Sequence, residues 1–484
     1  MPLAQSRRTA LVAGFVQNLP GSRHHPRQRL PKSDAACQRW PPFQRRFSAP
    51  RPNICLVREK QTRRRRAAHR LRRMPPPAAH FRREKMTFTL LLDLDDTLLD
   101  SNIEAFISAY FQKLAAHLAG RIPPEKLLTE LAASTRRMYA SVRLDQTLEQ
   151  VFSARFYPPL GLTQPDLAAD LDDFYDNVFP SLQPLTRPRP DAVALVEWAF
   201  AQGWRIAIAT DPLFPRKAIL HRLRWAGLPP EKYPFALISD FQTFHFAKAS
   251  VAYYAEFLNA LGWENDPVLM VGDSLERDIL PARKAGLPVF WLAPADGASA
   301  PGGSLADLRH YFQTVDLNSL KVDFSAPEAL IPLLMGNAAA LHSLSRQLDS
   351  AQWAERPASG EWALTEIFCH LRDVELEVNL PRIAAVLREE NAFIAGQVTD
   401  PWAEERDYLH QDGAAALDAY LAARLRLLET LRALTPAQWE RSARHTIFGP
   451  THLRELVAFF AEHDRVHVQQ ARQVTAMAGN ANHE

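Results

Sequence analysis

Cysteine is scarce: Cys37, Cys55 and Cys369 are the only three in 484 residues. They lie too far apart to make a paired framework or a zinc-ribbon spacing, which excludes a disulfide scaffold and fits a reducing compartment. Long apolar runs are also missing. No stretch approaches the roughly 18 residues needed to cross a bilayer, so no membrane partner is expected. The nearest approach to an export signal is Thr9-Ala10-Leu11-Val12-Ala13-Gly14-Phe15-Val16 behind Arg7-Arg8. Its apolar run is short, Gln17-Asn18 closes it, and no small-residue cleavage site follows, so a cytoplasmic location is the expectation.

Acidic residues are nearly absent from one region. Residues 1–85 hold 22 Lys/Arg against Asp34, Glu59 and Glu84, a balance of +19 within a chain whose net charge is +3. The remainder holds 35 bases against 51 acids, a balance of −16. The part with a folding pattern is therefore acidic, and the basic pI is no argument for nucleic-acid binding, so a nucleic-acid partner is not expected. Residues 1–85, with Arg63–Arg66 and Pro75-Pro76-Pro77, show no sustained period and read as disordered. They are either a basic arm or an over-long gene start, the second being favoured because Met86 opens directly into a strand.

From Met86 short apolar strands alternate with helices, the pattern of a parallel α/β sheet. Strands are predicted over 87–93, 205–210, 235–239, 267–271 and 288–292. Helices are predicted at 103–118, 124–144, 165–179, 192–201 and 277–285. The block at about 100–188 is too long for an ordinary crossover and reads as a helical cap inserted after the first strand. A small, flexible stretch at 294–305 reads as a loop, and this first domain spans about 86–320. After about Ser325 strand signals stop. Helical patterns near 327–348, 362–392, 412–434 and 451–477 predict an all-α four-helix bundle over 326–478.

Chemistry concentrates at strand ends. Leu90-Leu91-Leu92 runs into Asp93-Leu94-Asp95-Asp96-Thr97, and side chains beyond the carboxyl ends of parallel strands face the ligand crevice. Thr210 closes a second strand, Lys248 lies in His245-Phe246-Ala247-Lys248, and Val271-Gly272-Asp273-Ser274 is followed by Asp278. This order resembles the haloacid dehalogenase superfamily over about residues 86–320. The resemblance implies that Asp93 is a nucleophile forming an aspartyl phosphate and Asp95 the general acid and base. It implies too that Thr210 and Lys248 hold phosphoryl oxygens. Asp93, Asp95 (through its carbonyl), Asp273 and Asp278 would hold Mg²⁺, with Asp278 anchoring Lys248 or a metal-bound water. Asp95 disfavours dehalogenation, which needs no acid there, and favours phosphoester hydrolysis. The cap favours a small phosphorylated substrate. Asp211 after Thr210 and Ala249 after Lys248 depart from the common pattern; the extra carboxylate would alter substrate choice.

In the bundle, Leu453, Leu456, Val457, Phe460, His463, His467 and Val474 form one apolar face, and His370 sits on the stripe of Ala363, Ile367, Leu371, Val374 and Val378. Three inward imidazoles make a divalent-metal site. Cys369 points elsewhere on its helix and reads as a packed thiol; His342, His410, His445 and His452 have no comparable inward pairing. With Glu361-Trp362, Glu366-Ile367 and His463-Asp464, the segment resembles the DinB-like metalloproteins. That implies Zn or Ni at His370, His463 and His467, and in some relatives a low-molecular-weight thiol as co-substrate. The expectation is a phosphatase fused to a thiol-transferring bundle. The alternative is a phosphatase whose bundle is a non-catalytic module that regulates it or makes it a homodimer.

Overall fold

The computed structural model describes residues 88–292, 300–358 and 360–481. The disorder expected over 1–85 and half of the loop expected at 294–305 lie outside them. Four parallel strands form the central sheet: β1 (Thr89–Leu92), β4 (Arg205–Ile208), β5 (Val268–Gly272) and β6 (Val289–Trp291), in the order β4-β1-β5-β6. Leu92 pairs with Ile208 on one side and Val271 on the other, so three strands end at one level. The run expected at 235–239 contributes only an isolated bridge, Ile208 to Ile238. β1 and β5 are buried along their length, which is why they read as continuous apolar runs.

Alternation divides these strands between two cores. Leu90, Leu92, Leu269 and Val271 face a cluster with the inserted helices, whereas Leu91, Val268 and Met270 face the opposite side. The insertion leaves through β2 (Leu99–Ser101) and returns through β3 (Thr186–Pro188), which pair antiparallel and form a neck. It contains α1 (Ile103–His117), α2 (Pro124–Tyr139), α3 (Leu148–Leu160) and α4 (Gln164–Asp173), then a π-turn at Phe174–Val178 and a 3₁₀ segment at Phe179–Leu185. α3 was not foreseen, because Pro158 and Pro159 stand in its last turn; a Thr147/Gln150 capping box starts it and Gly161 at φ 71° ends it. α5 (Pro190–Ala201), α6 (Arg216–Trp225), α7 (Val251–Leu261), α8 (Leu280–Lys284) and α9 (Leu305–Thr314) complete this half.

Four long helical segments follow: α10 (Pro327–Ser345), α11 (Leu364–Asp373) continued through a π-turn at Val374–Asn379 into α12 (Leu380–Arg388), α13 (Gly413–Arg432) and α14 (Leu453–Ala481). The strand signals do not stop at Ser325, however. β7 (Ala392–Ile394), β8 (Ser442–His445) and β9 (Gly449–His452) make a three-stranded sheet between the helices. These strands have only three or four residues each and one contains Pro450, too little for a period-2 pattern to emerge. α10 packs along α7, and one apolar core runs without a break from Leu91 and Met270 through Phe257 to Leu334, Phe368 and Phe460. Among the described residues no helix is long and apolar enough to cross a membrane.

Candidate active site

The carboxyl edge of the sheet gathers the strand-end residues. Asp93 follows β1, where its amide donates to the Val271 carbonyl at 3.0 Å. The chain then bends sharply. Asp96 adopts a left-handed φ of 56°, which aspartate tolerates better than most residues, and its Oδ1 accepts the Ser101 amide at 2.8 Å. The bend leaves Asp95 half-buried, with Ser101 Oγ donating to its Oδ1 at 3.0 Å. Thr210 is buried after β4; its carbonyl accepts from Ser239 Oγ at 2.8 Å and from the Tyr253 hydroxyl at 2.9 Å.

Lys248 ties the site together. Its buried Nζ lies 2.5 Å from Asp93 Oδ1 and 2.5 Å from Asp278 Oδ1. Burial opposes the lysine charge, but Asp278 and Asp93 outweigh it and raise the pKa above its ordinary value. Asp278 is carried by a π-turn at Leu275–Ile279 and accepts the Ser274 amide at 2.8 Å. Oxygens of Asp93, Asp273 and Asp278 lie within 4.8 Å of one another. Burial, then repulsion from Asp93 and Asp278, pushes Asp273 up to about 8. Burial also pushes Asp278 up to about 6, against the pull of Lys248. Lys248 pairs with Asp93 and Asp278 while Asp273 stands beside them, and an all-oxygen set of this kind fits Mg²⁺.

Three charged neighbours complete the edge. Asp211, noted as a departure from the common pattern, accepts the Lys248 amide at 3.1 Å and the Tyr139 hydroxyl at 3.2 Å, and its pKa is raised by burial. Arg277 lies in the π-turn, where Asp211 and Tyr139 act on its charge. Arg222 was not singled out from the sequence. Its fully buried guanidinium pairs with Asp95 and lies over the rings of Phe214 and Phe106. The available signal was a cation on the stripe of Ala218, Ile219, Leu223 and Trp225, all buried on α6.

A second cluster lies in the bundle. His463 Nε2 is 3.2 Å from His370 Nε2 and 3.2 Å from His467 Nε2. A neutral imidazole has one proton, so it can serve only one of these contacts; a shared cation would satisfy both. His467 Nδ1 lies 2.7 Å from Gln470 Oε1, a partner that takes the ring proton and leaves Nε2 free to ligate. Burial pushes His370 down to about 2 and His467 to about 3, so both stay neutral, as metal ligation requires. Trp362 stacks on His467 at 5.7 Å. Glu366, by contrast, accepts the Ala363 amide at 2.9 Å and pairs with Arg356, a helix-capping role. Cys369 lies apart, its Sγ 3.6 Å from Gln411 Oε1. Behind His463, Asp464 and Glu375 hold the buried Arg424, each at 2.6 Å.

Comparison with known proteins matches these two regions separately. Residues 89–286 match the model of the haloacid dehalogenase-like hydrolase family, and residues 334–471 match that of the DinB superfamily. The chain joins a haloacid dehalogenase-like hydrolase to a DinB-superfamily bundle. Among solved structures, a HAD phosphatase from Thermococcus onnurineus is 20% identical, with 47% of this chain and 98% of that one covered and a TM-score of 0.31. The magnesium-bound YfnB from Bacillus subtilis is 21% identical, covering 48% and 100% at a TM-score of 0.30. YfiT from Bacillus subtilis, a protein of unusual four-helix bundle topology, is 20% identical, covering 33% of this chain and 90% of its own at a TM-score of 0.30. Among curated protein sequences no match was found. The hydrolase half carries the Asp93–Lys248–Asp278 edge and the DinB-superfamily half carries the three histidines.

Proposed function

We propose that the hydrolase half is a phosphoric monoester hydrolase acting on a small phosphorylated metabolite, and that the DinB half holds a second divalent metal. The observation that carries the first part is Lys248 bridging Asp93 and Asp278 with Asp273 alongside. In this reading the Asp93 carboxylate attacks phosphorus, and the bond to the departing alcohol breaks as Asp95 gives its oxygen a proton. Water then attacks the aspartyl phosphate while Asp95 takes a proton back, releasing phosphate and restoring Asp93. Thr210 and Lys248 hold the phosphoryl oxygens. Asp93, Asp273, Asp278 and the Asp95 carbonyl would hold Mg²⁺, which would supply positive charge to offset the phosphoryl oxygens. The test is hydrolysis of 4-nitrophenyl phosphate by the whole chain with Mg²⁺. Asp93→Asn should lower the rate at least a thousandfold; equal rates would sink the assignment.

His370, His463 and His467 supply three imidazole nitrogens, a set suited to Zn²⁺ or Ni²⁺ with a position left for a further ligand. A low-molecular-weight thiol is the co-substrate this reading expects, since a thiolate is a good ligand for either ion. Elemental analysis of the purified whole chain should find about one such ion per molecule. His463→Ala combined with His467→Ala should remove it; undiminished metal in that double variant would refute the site.

A further inference from the structure

Between the inserted helices and the carboxyl edge of the sheet lies a cavity of about 420 Å³ that reaches Asp95, Asp211 and Arg277. If Asp95 protonates the leaving oxygen, the alcohol part of the substrate must occupy the space on the Asp95 side, so this wall selects it. Ile107, Leu131, Met138, Phe152, Phe156 and Phe214 supply much of that wall. Most of its polar side chains are already engaged by the protein. The Tyr110 and Tyr175 hydroxyls bond each other at 2.8 Å, and Tyr139 bonds Asp211. Lys217 is held by Asp172 at 2.8 Å and Asp176 at 2.9 Å, Glu149 by Gln164 at 3.2 Å, and Arg222 by Asp95. A sugar alcohol entering here would leave water and find few free partners for its hydroxyls, a loss that apolar contact does not recover.

We propose that the substrate is a phosphate monoester of a predominantly apolar alcohol, alkyl or aryl, rather than a sugar or polyol phosphate. This rests on the hydrolase reading above and adds the identity of the leaving group. The experiment compares ethyl, butyl and hexyl phosphate with glycerol 1-phosphate and glucose 6-phosphate, using the whole chain with Mg²⁺. Transfer of a methylene out of water predicts a gain in kcat/KM of about fourfold per added CH₂, carried by KM, until the cavity is filled. The glycerol and glucose esters should fall at or below ethyl phosphate. Phe152→Asn should flatten the alkyl series. A flat series in the wild-type protein, or a glucose ester hydrolysed as well as the hexyl one, would overturn the leaving-group assignment and leave the hydrolase reading standing. Failure to hydrolyse any ester, 4-nitrophenyl phosphate included, would overturn both.

Discussion

At the residue scale the least foreseen group is Arg222. A guanidinium removed from water is costly unless a counter-charge compensates it; here Asp95 pairs with it and the Asp93 charge favours it too, and burial still pulls the arginine pKa down to about 10. The same contact orients the carboxylate proposed to handle the leaving-group proton, with Ser101 fixing its other oxygen. Arg222→Met keeps the volume between Phe106 and Phe214 but removes the charge and the grip on Asp95. We expect kcat to fall about ten- to a hundredfold with an unchanged melting temperature. The fall should be larger for an alkyl phosphate than for 4-nitrophenyl phosphate, whose leaving group needs little protonation. An equal fall on both esters would argue that Arg222 does not act through Asp95. Asp93, Thr210, Lys248, Asp273 and Asp278 were legible because each lies at or just beyond a strand end, or in a short spaced motif. Arg222 was not, because its partner is 127 positions away in sequence and periodicity shows only that position 222 is buried.

At the element scale the proposed metal site depends on how β5 ends. Gly272 is its last residue, and the π-turn that follows folds Asp278 back over it. A Cβ on Gly272 would stand 2.7 Å from the Asp278 Cβ and closer still to its carboxylate. Glycine is thus required for close approach rather than for an unusual φ. Gly272→Ala should displace Asp278, freeing Lys248 and opening the oxygen set. The Mg²⁺ concentration for half-maximal activity should rise at least tenfold, measured by titrating the metal into the apo enzyme; an unchanged value would mean that Asp278 does not hold the ion. Gly272-Asp273-Ser274 and Asp278 are legible in the sequence, but the pattern there predicts a regular helix over 277–285 where the structure has a π-turn at Leu275–Ile279. A π-turn adds one residue to a helical turn, and no apolar period announces it. The same limit applies at Val374–Asn379, where the widened turn carries Glu375, one of the carboxylates on Arg424. Long helices with clean stripes, α13 and α14 above all, were readable to within a few residues.

At the scale of the whole molecule the two halves are held by more than a linker. Gly336 of α10 lies so close to α7 that a Cβ there would stand 2.5 Å from the Glu256 amide nitrogen. Asn259 of α7 donates to Asn337 at 2.7 Å, and Asn337 donates to the Ala461 carbonyl of α14 at 2.8 Å. A buried relay crosses the same seam. His245, three residues before Lys248, has Nδ1 2.7 Å from Glu256 Oε1 and Nε2 2.7 Å from His342 Nδ1 of α10. One proton on each Nδ1 satisfies both contacts, so the network assigns neutral imidazoles donating in sequence toward Glu256. The sequence shows no inward pairing for His342; its partner, His245, lies in the other half. Burial pushes both histidines from 6.5 down to about 3; Arg346 pushes the same way and Asp145 opposes. An unfolded histidine titrates at its ordinary value. Between about 3 and 6.5 the unfolded chain therefore binds more protons than the folded one, and stability present above 6.5 is lost as pH falls. Urea unfolding of the whole chain should show one transition, coincident by tryptophan fluorescence and far-UV circular dichroism, with a midpoint falling from pH 7 to pH 5. His342→Gln can still donate to His245 but cannot titrate, so its stability should fall less steeply, by about 1 kcal/mol per pH unit for one histidine. The burial of Glu256, whose pKa is raised, acts in both proteins and cancels in the comparison. Parallel pH profiles would show that the seam does not couple to titration. Two separated transitions would show that the halves fold independently despite the core they share.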